Sequence, residues 1–134
     1  MSKRRVFGVI VGVIGMFLGV MGARSALAGY KSDGPLSIGS TYFYGAFGTV
    51  RNTGNASQYM YCYVYATATP YVSASCYATN GAGASASCST TNATVVDAIQ
   101  KLNSDAYVTV YFNSSGTCTG ISSQNTSWAP PKVL

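Results

Sequence analysis

The chain has 134 residues with eight Lys and Arg, three acidic residues and no histidine, a formal net charge of +5. Much of that charge is local: Lys3, Arg4, Arg5 and Arg24 precede residue 29, and beyond it Lys31, Arg51, Lys101 and Lys132 stand against Asp33, Asp97 and Asp105, four minus three, or +1. So sparse a charge offers no basic patch for nucleic acid, little attraction to a membrane surface and, without histidine or a C-x-x-C spacing, no ordinary zinc cluster.

The first element reads as a targeting signal. Met-Ser-Lys-Arg-Arg is followed by an uncharged stretch from Val6 to Ala23 and then by Ala26-Leu27-Ala28. A cationic start, an apolar run and a small-x-small site are the order of a secretory signal peptide. This predicts cleavage between Ala28 and Gly29. A retained anchor is the alternative, since the apolar run approaches the shortest spanning helix, but its repeated glycines weaken a helix. Residues 29–134 then form a single small domain, exported to the extracellular space, the periplasm or the cell surface, with no membrane contact after cleavage.

Gly29 to Ser40 reads as a loose lead-in, and Thr41 to Arg51 (TYFYGAFGTVR) as a strand rich in aromatic and β-branched residues. Asn52-Thr53-Gly54-Asn55 is a turn signal. QYMYCYVYA, Gln58 to Ala66, places tyrosine at every second position. Pro70 interrupts the pattern, because proline cannot donate to a ladder. Tyr71 to Thr79 alternates again, Asn80-Gly81-Ala82-Gly83 turns, and Ala84 to Ser89 is a further strand. The period then changes: Val95, Val96, Ile99 and Leu102 recur at helical spacing, predicting one amphipathic helix from Ala93 to Leu102 capped by Thr91 or Asn92. Tyr107 to Phe112 (YVTVYF) is a strand, Asn113 to Gly116 a turn, and a last strand lies near Thr117 to Ser123. The expected fold is mainly β: an antiparallel sheet or small sandwich of about six strands, mostly hairpin-linked, with one short helix packed on it.

Alternation divides the three middle strands into two faces. One carries Met60, Cys62, Val64, Ala66, Val72, Ala74, Cys76, Ala78, Ala84, Ala86 and Cys88 and reads as the core. The other carries Tyr59, Tyr61, Tyr63, Tyr65, Tyr71 and Tyr77 with Ser73, Ser75, Ser85, Ser87 and Ser89. That face is either an open platform or a second core layer covered by the first strand or by Tyr107 and Tyr111. Trp128 reads as a plug on the core.

Cys62, Cys76, Cys88 and Cys118, an even count behind a signal peptide, imply two disulfides. Simple hairpins put the first three in one row, so one of them must reach Cys118. The expected pairs are Cys76–Cys88 across a hairpin and Cys62–Cys118. If Cys118 shares the core face with Val108 and Val110, the preceding loop needs odd parity, which a bulge with left-handed Gly116 supplies.

The chain has no histidine and no glutamate, so the usual acid–base and nucleophile–base sets are lacking, and a Ser–Lys dyad from Lys31 or Lys101, formally available, has no motif behind it. No cofactor or metal is expected, and the chain reads as a non-enzyme. The leading expectation is a secreted binding domain that engages an extracellular polymer, such as carbohydrate or cell wall, or a protein through Tyr59, Tyr61, Tyr63, Tyr65, Tyr71 and Tyr77. A self-assembling structural subunit of a surface layer, filament or matrix is the alternative. A protease inhibitor or small toxin is a further one.

Overall fold

A computed structural model describes residues 34–129 and 131. The expected signal segment, its Ala28–Gly29 cleavage site, Lys31, Asp33 and Lys132 lie outside the described residues.

The fold is mainly β, built from two antiparallel sheets. Strand β1 (Ser37–Ile38) pairs with β2 (Tyr42–Ala46), which runs into a short helix α1 (Phe47–Asn52). Strands β3 (Tyr59–Ala66), β4 (Val72–Thr79) and β5 (Ser85–Thr90) form a three-stranded meander. Helix α2 (Ala93–Gln100) leads to β6 (Tyr107–Phe112) and β7 (Cys118–Gln124). The four-stranded sheet has the order β1-β2-β6-β7, so β2 pairs with β6 rather than with its successor in the chain. The other neighbouring pairs, β1–β2, β3–β4, β4–β5 and β6–β7, are consecutive in the chain.

The turns explain the registers. Two five-residue connections use the same device. The Asn80 side chain accepts from the Ala82 and Ala84 N–H groups at 3.1 and 3.0 Å, and Gly83 is left-handed at φ 84°. The Asn113 side chain accepts from Ser115 and Thr117 N–H at 3.1 and 2.9 Å, and Gly116 is left-handed at φ 73°. An Asn carbonyl that mimics a backbone acceptor, followed by a glycine free to take positive φ, reverses the chain at low cost. The second turn sets Cys118 opposite Phe112, and the register then shifts so that Gly120 faces Tyr111. Cys118 thus lies on the buried face with Val108 and Val110, by the odd-parity loop and bulge that its spacing required.

Inner faces of both sheets meet in one core. Phe43, Val108, Val110 and Cys76 are fully buried and join Met60, Ala74, Ala78, Val96 and Ile99. Burying a side chain the size of Val or Phe contributes roughly 1.5–3 kcal/mol. The alanines of β4 and β5 leave room for α2, whose Val96 and Ile99 face the core. The Asn92 side chain caps this helix, accepting from Thr94 and Val95 N–H at 3.0 and 3.2 Å.

Three expectations are corrected. The strand expected from Thr41 to Arg51 ends at Ala46, and Phe47–Asn52 is helical. Gly45 lets the Leu36 backbone come so close that a Cβ there would meet Leu36 Cα at 3.2 Å. Val50, three residues after Phe47, then turns into the core as a helical period allows. Packing overrides the β-type composition here. Next, the loose lead-in contains β1, whose Ser37 and Ile38 pair with Tyr44 and Phe43.

Finally, the disulfides are Cys62–Cys76 and Cys88–Cys118, not Cys76–Cys88 and Cys62–Cys118. Cys76 does lie opposite both Cys62 and Cys88. In an antiparallel ladder, wide hydrogen-bonded pairs alternate with narrow non-hydrogen-bonded ones. Cys62 and Cys76 form a narrow pair with Cα atoms 4.1 Å apart. The N–H and C=O of Cys76 therefore point to β5, which makes Cys76 and Cys88 a wide pair. Cys88 instead reaches β7. There Ser89 bridges Thr117, and its N–H donates to the Gly116 carbonyl at 3.0 Å.

Candidate functional site

The tyrosines of β3 project from the outer side of the three-stranded sheet. Tyr59, Tyr61, Tyr63 and Tyr65 are between 44% and 55% exposed, because their odd positions alternate with the inward Met60, Cys62 and Val64. Neither the first strand nor Tyr107 and Tyr111 covers them. Tyr77 of β4 stands opposite Tyr61, with the rings 5.2 Å apart and 16° from parallel. Tyr77 and Tyr63 are 6.2 Å apart at 6°, and Tyr61 contacts Tyr63 and Tyr59 at 6.4 and 5.9 Å. Four rings thus form a continuous ladder, extended along the strand by Tyr65. Cross-strand aromatic pairs stabilise the sheet by roughly 0.2–1 kcal/mol each, so these residues have a structural role whatever they bind.

Serines flank the ladder. Ser75 lies opposite Tyr63 and Ser89, Ser87 lies opposite Tyr77, and Ser85 hydrogen-bonds to Thr79 at 2.8 Å between their hydroxyls. Tyr71 belongs elsewhere. It precedes β4 at the Thr67 turn and, with Pro70, Val72 and Val96, lines an open groove beside α2. At the opposite end of β3 a groove of about 530 Å³ runs between Tyr59, Met60 and the α1 residues Phe47, Val50 and Arg51.

The ladder is electrically neutral. The Tyr77 phenol is held above its ordinary 10.0 first by a hydrogen bond with Tyr63, then by the Tyr63 charge, by burial and by Tyr61. Among the described residues Arg51 is on α1, Asp97 and Lys101 pair on α2 at 2.6 Å, and Asp105 precedes β6. None lies on a sheet face.

The four-stranded sheet has an outer face of similar chemistry, which sequence reasoning did not assemble. Phe43, Val108 and Val110 point inward, so Tyr42, Tyr44, Tyr107, Thr109 and Tyr111 point outward. Tyr42 lies opposite Tyr111, and Tyr44 opposite Thr109. Tyr42 contacts Tyr44 at 6.0 Å, Tyr44 contacts Tyr107 at 5.9 Å, and Tyr107 contacts Trp128 at 5.1 Å. Trp128 therefore caps this outer row at Tyr107 instead of plugging the core. The Tyr107 phenol is raised above 10.0 by burial and then by Tyr44. The signal was present in the alternation of YFY and of YVTVY, but the strand pairing that joins them was not.

Family models, curated proteins and solved structures contain no match to this chain.

Proposed function

We propose that the protein is an exported, non-enzymatic binding domain that engages a neutral extracellular polymer, with polysaccharide or cell wall as the leading class, through the Tyr/Ser face of β3–β5. The observation that carries this reading is the ladder itself: four consecutive β3 tyrosines, each nearly half exposed or more, with serines alongside and no charge. Exposing that much ring area costs a soluble domain hydrophobic free energy and favours association, so a large aromatic patch marks an interaction surface. Tyrosine joins an apolar ring to a polar tip at low conformational cost, which suits sugar rings and their hydroxyls. Absence of catalysis is inferred from a chain lacking histidine and glutamate.

Export is part of the proposal. It rests on the cationic, apolar and A-x-A order of the first residues and on two disulfides, which persist in oxidising compartments. Among the described residues no helix is long and apolar enough to cross a membrane.

The test is co-sedimentation of the oxidised protein with cellulose, chitin and cell-wall fragments, beside a Tyr61→Thr/Tyr63→Thr variant. Saturable binding by the parent that drops in the folded variant supports the reading. Equal binding by both proteins overturns it. Mass of the secreted protein tests cleavage after Ala28.

A second reading, the structural subunit, draws on one observation. Among the described residues β3 has a strand neighbour on one side only, β4, and it carries no charged residue along its length. An uncharged edge of this kind permits strand addition by another copy. Pelleting without polymer, rising with protein concentration, would select it. No observation favours an inhibitor or toxin.

A further inference from the structure

We infer that the outer face of the β1-β2-β6-β7 sheet is a second binding face for the same chemical class, a neutral polysaccharide chain, and that the protein therefore bridges two polymer chains. This rests on the reading of the β3–β5 face given above.

Three observations carry it. The first is the way the rings are seated. A Cβ on Gly39 would meet three ring atoms of Tyr42, Cζ, Cε1 and Cε2, at 3.1, 3.2 and 3.3 Å. A Cβ on Gly120 would meet Tyr111 Cδ2 at 3.7 Å. The Tyr42 ring settles directly over glycine backbone, the Tyr111 ring lies at ordinary contact distance beside Gly120, and both remain 41% and 46% exposed. Glycine beneath a ring gives it a fixed seat, and a seated ring is a prepared surface for stacking on an apolar sugar face. Tyr42 and Tyr111 are also direct cross-strand partners, so the seated ring has a second exposed ring beside it.

The second observation is the flanking chemistry. Thr109 opposes Ser122, and Tyr107 opposes Gln124. Ser122 and Gln124 are exposed, placing hydroxyl and amide groups beside the rings as donors and acceptors. No described charged side chain lies on this face. An acidic or basic polymer would find no counter-charge there, whereas a neutral one loses nothing.

The third is placement. The inner faces of both sheets supply one common core, so their outer faces look away from each other. One chain cannot lie on both. Two chains can, and a protein with two such sites cross-links them. Each link strengthens the other through effective concentration.

The experiment uses the oxidised full protein and suspensions of cellulose and of chitin, read by depletion from the supernatant and by clumping of the particles. Four proteins are compared: the parent, Tyr61→Thr/Tyr63→Thr, Tyr42→Thr/Tyr111→Thr and the combination. Threonine keeps a hydroxyl and strand propensity, and Tyr42→Gln/Tyr111→Gln stands in if the threonine pair fails to fold. The expected result is saturable binding by either pair variant, about tenfold weaker than the parent, with clumping lost in both and binding lost in the combination. If the Tyr42/Tyr111 variant binds and clumps like the parent while the Tyr61/Tyr63 variant binds nothing, the second face is overturned and the proposed function stands. If the parent binds neither polymer, both fall. Clumping that needs no polymer also overturns the inference, in favour of face-to-face association of copies.

Discussion

Removing the two disulfides separately should have unequal and calculable effects. The Cys62–Cys76 bridge closes a loop of sequence separation 14, the Cys88–Cys118 bridge one of 30. Loop-closure entropy then gives about 3 and about 3.7 kcal/mol. Replacing each half-cystine by Ala also deletes a sulfur, worth about 0.8 kcal/mol where it is buried. Cys76, Cys88 and Cys118 are buried, whereas Cys62 is only partly so. The Cys62→Ala/Cys76→Ala variant should therefore lose about 4 kcal/mol, and Cys88→Ala/Cys118→Ala about 5. Small domains have roughly 5–15 kcal/mol in all, so the second variant sits near its unfolding threshold. Urea unfolding with linear extrapolation measures both. A crossed variant, Cys76→Ala/Cys88→Ala, gives a categorical result. It leaves Cys62 and Cys118 unpartnered, so free-thiol titration should find both in it and none in the matched variants. A crossed variant without free thiols would refute the argument from narrow and wide ladder pairs, and a larger loss from the 62/76 pair than from 88/118 would refute the loop-length reasoning.

Asn92→Ala removes the acceptor for Thr94 and Val95 N–H and should cost about 1 kcal/mol in urea unfolding. Gly116→Ala meets nothing within 4 Å but must hold φ 73°, so its cost of about 1–2 kcal/mol is backbone strain alone. Gly116→Asn, which tolerates positive φ better, should recover part of that loss. The Tyr77 and Tyr107 phenols are raised above 10.0 in the folded state. The folded state thus holds these protons more tightly than the unfolded chain. The resulting stabilisation is complete below pH 10 and disappears as pH rises through the folded values. Unfolding midpoints should be level to about pH 9 and fall above 10, with phenolate absorbance appearing later for the folded than for the denatured protein.

The parts of the fold legible in the sequence are those dictated by neighbours in the chain. QYMYCYVYA and YVSASCYAT alternate strictly, and the inward and outward sets they predict are those observed along most of β3 and β4. The exceptions are Ala66 and Val72, exposed at the hairpin end, Ala84, exposed before β5, and Ser75, outward by parity yet buried. Val95, Val96, Ile99 and Leu102 announced α2, and the parity of Cys118 announced the bulge. What was not legible depended on distant pairing. Nothing local says that β2 should skip to β6, and without that step Tyr42 never meets Tyr111. Disulfide choice failed for a subtler reason: alternation tells which face a cysteine occupies, but not whether its backbone hydrogen bonds point left or right, and that decides which neighbour is near enough. The helix at Phe47–Asn52 was hidden because its composition favours strand and only the packing of Val50 and the close Gly45–Leu36 approach reverse it.

The chain's single tryptophan, Trp128, lies against Tyr107 on the outer side of the four-stranded sheet. That placement gives the protein an optical reporter for one face and not the other. A molecule settling over Tyr44 and Tyr107 alters the surroundings of the indole and shifts its emission. A molecule on the β3 ladder, across the core, leaves tryptophan emission alone and perturbs only the tyrosine signal. The tryptophan curve thus belongs to one known side of the molecule, and a tyrosine change without it marks the β3 ladder.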